Sequence, residues 1–155
     1  MNRRILFSAA LISLTVACGG AEEEDIYGEV CEHLEEGPSE AVTSTATADG
    51  APEVADNHTR YDIALTDGAG FVSFNADEGG EFIFGGDDSS FDLTITDSTG
   101  AEVEIEETVA EPCEFASSAL VADLEVGSYT IEVSASSDLL GLIIEHGGEH
   151  EDHDH

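Results

Sequence analysis

Two periodicities divide the chain. Between residues 25 and 36, Ile26, Val30 and Leu34 recur at i, i+4 and i+8, with Tyr27 and Cys31 beside that stripe. This spacing lays apolar side chains along one face of a helix. The acids at 22–25 suit the positive N-terminal end of such a helix, and Gly37-Pro38 stops it. From Ala41 onward the period drops to two. A β-branched run covers 42–47. Tyr61, Ile63 and Leu65 alternate with Asp62, Ala64 and Thr66, and Val72, Phe74 and Ala76 with Ser73 and Asn75. Glu81-Phe82-Ile83-Phe84 is a short apolar strand. Phe91, Leu93 and Ile95 alternate with polar residues, and Val103 and Ile105 with glutamates. Leu120, Ala122 and Leu124 follow, then Tyr129, Ile131, Val133 and Ala135, and finally Leu140, Leu142 and Ile144. Turn sequences such as Asp67-Gly68, Glu78-Gly79-Gly80, Gly85-Gly86-Asp87-Asp88 and Ser98-Thr99-Gly100 separate most of these segments. The pattern predicts an all-β domain: an antiparallel β-sandwich of eight or nine short strands behind one short helix.

Ahead of the helix the chain reads as an address. Arg3 and Arg4 precede an apolar run over 5–16, too short to span a bilayer. The run ends in Leu14-Thr15-Val16-Ala17-Cys18-Gly19, which resembles the lipobox of bacterial lipoproteins. A small residue stands directly before a cysteine; Thr15 departs from the usual aliphatic residue. The resemblance implies cleavage after Ala17 and acylation of Cys18, palmitate included. It places the protein on the membrane through that lipid anchor, outside the cytoplasm. Gly19, rather than an inner-membrane retention Asp, points to the outer membrane. The chain then divides into a signal peptide at 1–17, an acidic tether at 18–25, the helix and sandwich at 26–145, and a tail at 146–155.

Part of the β region is similar to the bacterial pre-peptidase C-terminal domain. The likeness rests on Tyr61-Asp62-Ile63-Ala64-Leu65, on Asp97-Ser98-Thr99-Gly100 after a strand, and on Leu124-Glu125-Val126-Gly127-Ser128-Tyr129 entering another. It spans residues 59 to 135. It implies a jelly-roll-like sandwich and a binding role, and no activity.

Charge narrows the partners. The chain carries 36 Asp+Glu against 3 Lys+Arg, a formal net charge of −33. Such a surface repels phosphate backbones, which argues against nucleic acid and favours cations. Trp is absent and aromatics are 6%, so no stacking platform is expected. No Gly-x-Ser-x-Gly, His-Glu-x-x-His or phosphate-loop motif occurs, and no enzyme is expected.

With Cys18 assigned to lipid, Cys31 and Cys113 remain, and outside the cytoplasm two cysteines most simply form one disulfide. The alternative makes Cys31 and His33 metal ligands. It needs a free thiolate, and helix positions two apart face different ways.

The strongest chemical signal is the tail, Glu145-His146-Gly147-Gly148-Glu149-His150-Glu151-Asp152-His153-Asp154-His155. Neutral imidazole suits Zn²⁺, Cu²⁺ and Ni²⁺, and carboxylates add charge and coordination. His146, His150, His153 and His155, with Glu149 and Asp152, are therefore candidate ligands for a divalent transition metal, Zn²⁺ before Cu²⁺ or Ni²⁺. His33 and His58 could meet and add an ordered site. Arg60 pairs structurally with carboxylates. The acidic turns, Asp87-Asp88 above all, offer oxygen ligands to Ca²⁺. The expected function is ion buffering or handover to a metal transporter or efflux component. The alternative is a non-catalytic structural or interaction module, or a Ca²⁺-stabilised adhesion domain, on the cell surface.

Overall fold

Alternation along the strands sorts their side chains into layers. The computed structural model describes residues 26–147. It contains α1 (Ile26–Glu36) and ten strands: β1 (Ser39–Thr43), β2 (Glu53–Val54), β3 (Arg60–Ala64), β4 (Ala69–Ala76), β5 (Gly80–Gly86), β6 (Asp92–Asp97), β7 (Glu107–Ala110), β8 (Ser118–Leu124), β9 (Gly127–Ser134) and β10 (Leu139–His146). One sheet has the order β1-β3-β10-β5-β8-β7 and the other β2-β4-β9-β6. From β3 to β6, and again from β8 to β10, the chain alternates between or interleaves the two sheets, the winding of a jelly roll. The all-β sandwich with one short helix is as the sequence predicts.

Two differences have physical reasons. The sheets are mixed rather than wholly antiparallel, because β1 pairs with β3 and β2 with β4 in parallel. A period of two reports which face a side chain takes and carries no strand direction. The expected strand at Val103 and Ile105 is instead a crossing. Val103 N–H donates to the Ile95 carbonyl in the four-stranded sheet, and Glu106 N–H to Val121 in the six-stranded one. The chain therefore leaves one sheet for the other at this point, and the strand that forms is β7, beside β8. Thr96 and Glu102 form only an isolated bridge.

Between the sheets lies the larger core, with Phe74, Phe82, Phe84, Ile95, Ile131, Leu140 and Leu142 fully buried. The outer face of the six-stranded sheet is covered by α1. Val30 and Leu34 pack there on Ile83, Val121 and Ile143. The middle strands are thus buried on both faces, which is why Phe82-Ile83-Phe84 and Leu142-Ile143-Ile144 are continuous apolar runs. Gly85 lets the helix come close: a Cβ there would collide with Val30 and lie 2.9 Å from the Ile143 side chain. Cys31 of α1 is bonded to Cys113, with a Cα–Cα distance of 6.2 Å. This removes Cys31 from any metal-ligand set, since its sulfur is already in a disulfide.

Candidate metal centre

Three segments distant in sequence converge where α1 crosses β10. On β10, Leu140, Leu142 and Ile144 face the inter-sheet core, so Ile143 and Glu145 face the helix. That register buries a carboxylate: the Glu145 side chain is 2% exposed. On α1, His33 lies three residues after Val30 and one before Leu34, on the flank of the buried stripe. Its side chain is 22% exposed. The helix ends just beyond it, where Gly37 N–H donates to the His33 carbonyl.

His58 comes from the loop between β2 and β3. It takes a left-handed backbone conformation, φ 56°, which non-glycine residues adopt rarely and His more readily than most. Tyr61 braces this loop. Its hydroxyl donates to Asn57 Oδ1 at 3.2 Å and accepts from Ala55 N–H at 3.1 Å. The His58 side chain is 48% exposed, so the cluster opens to solvent on that side.

His33 Nδ1 hydrogen-bonds Glu145 Oε1 at 2.6 Å. His58 Nδ1 lies 2.8 Å from Glu145 Oε2, without hydrogen-bond alignment. The imidazole rings are 4.7 Å apart and tilted by 48°. One candidate ligand atom from each of the three residues falls within 4.8 Å of the others. Among the described residues, no arginine pairs with Glu145; Arg60 is engaged with Asp62 and Asp87. The two imidazoles are the groups that face this buried carboxylate, which is costly to bury without partners.

Two nitrogens and one oxygen form the donor set of three-ligand zinc sites that keep a fourth position open. Calcium prefers oxygen alone. At Zn–N and Zn–O bonds of about 2.0–2.2 Å, tetrahedral donors sit about 3.3 Å apart. Direct coordination through the three facing atoms thus requires the carboxylate to turn away from the rings.

The structure brings His33 and His58 together and adds Glu145, which sequence reasoning had placed at the end of the sandwich and not among the ligands. His146 lies within β10 rather than in a tail. Its ring stands edge-on to Phe82, with centroids 4.8 Å apart, and its buried Nε2 has no partner. It faces away from Glu145. Cys18, Glu149, His150, Asp152, His153 and His155 lie outside the described residues. The Asp87 and Asp88 carboxylates are engaged internally: Asp87 with Arg60 and Gly141 N–H, Asp88 with Ser90 and Ser136. No protein-family model and no curated protein matches the chain.

Proposed function

We propose that this protein is an envelope lipoprotein that binds a divalent transition-metal ion at His33, His58 and Glu145. Zn²⁺ is the first candidate, before Cu²⁺ and Ni²⁺. The histidine-rich tail after β10 gathers ions near that site, for buffering or for handover to a transporter or efflux component. The observation that carries the reading is Glu145, a buried carboxylate faced by two imidazole nitrogens at 2.6 and 2.8 Å. A clasp between helix and sheet needs only one such pair. Two imidazoles on one carboxylate, opening to solvent beside His58, supply three donors and room for an exchangeable fourth. The net charge of −33 raises the local cation concentration around them.

Calorimetric titration of Zn²⁺ into the full chain tests this. The ordered site predicts that changing His150, His153 and His155 to alanine leaves one saturable site, and that adding His33→Ala to that variant removes it. If the tail variant binds nothing, the ion is held by the tail alone and the His33–Glu145–His58 cluster is a structural clasp. Ca²⁺ should not compete at that site.

A further inference from the structure

We infer that Arg60 is the positioning residue of this metal site, an inference that rests on the metal reading above. The three ligands come from α1, the loop before β3, and β10; Arg60 bonds α1 directly, follows that loop in the chain, and is linked to β10 through Asp87. Its Nη1 donates to the Leu34 carbonyl at 3.0 Å, the residue next to His33. Its backbone N–H donates to the Pro38 carbonyl at 2.9 Å, just past the helix end. Arg60 opens β3 two residues after His58. Its Nη2 donates to Asp87 Oδ2 at 3.0 Å, and the other oxygen of that carboxylate accepts Gly141 N–H of β10 at 2.8 Å. Asp87 N–H in turn donates to the Gly141 carbonyl. Nε closes the set on Asp62 Oδ1 at 2.9 Å.

The surroundings are built for this arrangement. A Cβ on Gly141 would stand 2.8 Å from Arg60 Nη2 and would strike Asp87, so the glycine is what lets the pair cross β10. A guanidinium holds several acceptors in one fixed fork, and a lysine ammonium does not. Two carboxylates offset the charge, so the arginine orders the site while repelling an incoming cation little. Arg60 makes no hydrogen bond or ion pair with the three ligand side chains. Its role is to set where their backbones stand.

The test uses the full chain with His150, His153 and His155 changed to alanine, so that only the ordered site reports. Zn²⁺ affinity, Co²⁺ visible absorption and melting temperature are measured for the parent, R60M, R60K and D87N. R60M should bind about tenfold more weakly or worse, an effect of the size seen when the groups around a metal's ligands are lost. Its Co²⁺ bands should move. R60K should fall between R60M and the parent, and D87N, which breaks the link to β10, should weaken binding less than R60M. A purely structural arginine would lower the melting temperature and leave affinity and Co²⁺ bands unchanged. Binding by folded R60M within about twofold of the parent overturns the inference and leaves the metal reading standing. If R60M does not fold, R60K and D87N decide in the same way. A parent that binds neither Zn²⁺ nor Co²⁺ overturns the metal reading, and this inference with it.

Discussion

His33 Nδ1 stands 2.6 Å from Glu145 Oε1 across 112 residues of chain. The contact depends on a β10 register that turns Glu145 toward the helix and on a helix stopped just past His33. It joins the half-buried flank of α1 to one of the most buried polar groups of the sandwich.

Removing that carboxylate separates function from stability. With Zn²⁺ at about a hundred times its Kd, the wild type should gain about 2.7 kcal/mol, or about 10 °C in melting temperature. Glu145→Gln should gain almost nothing from Zn²⁺, and without metal should melt no lower than wild type, since a buried charge has been removed. A Zn²⁺ shift in Glu145→Gln equal to that of the wild type would exclude the carboxylate from the site.

The disulfide should hold both helix and site. Changing Cys31 and Cys113 together to alanine opens a loop with a sequence separation of 82, costing about 4 kcal/mol in the chain-entropy picture. Urea unfolding should show a midpoint well below wild type. Metal affinity should fall as well, because His33 rides on the freed helix. An unchanged midpoint would contradict the prediction.

Asp88 gives a pH signature away from the metal site. Hydrogen bonds from Ser136, and then from Ser90, hold its carboxyl well below the ordinary carboxylate range. A depressed folded-state pKa stabilises the fold above the unfolded value, about 3.9, and this is lost as pH falls through that value toward the folded one. The site is open to water, so the effect is modest. Asp88→Asn should therefore lie below wild type in stability at pH 6, with the gap closing below about pH 4. A gap that persists or widens in acid would refute the assignment.

The anchor is tested by fractionation. Cys18→Ser removes the acyl chains that the lipobox resemblance implies, and the protein should move from the membrane to the soluble fraction. Retention on the membrane would overturn the lipoprotein reading.

The main architecture was legible because its burial is periodic. The Ile26, Val30, Leu34 stripe and the Gly37-Pro38 stop define α1 to within one residue. The alternations at Tyr61, Val72, Leu93 and Tyr129 lie in β3, β4, β6 and β9. Counting cysteines was enough for Cys31–Cys113. The short edge strands were not legible: β2 and β7 owe their existence to neighbours, with two and four residues each. Glu145 escaped for a related reason. A glutamate between an apolar run and a histidine cluster reads as the start of a polar tail. Only the helix lying over that face of β10 makes it a buried carboxylate. His33 and His58 were visible as histidines, but their meeting depends on the left-handed turn at His58, which periodicity does not reach.

The proposed ion site lies between α1 and β10 and not in the tail alone. Long-range ¹H–¹⁵N correlation of the imidazole nitrogens, followed through a Zn²⁺ titration of the full chain, reads each histidine separately. His33 and His58 should move with the first equivalent of Zn²⁺, and His146 should not. Movement confined to His150, His153 and His155, with His33 and His58 unchanged at saturation, would contradict that placement.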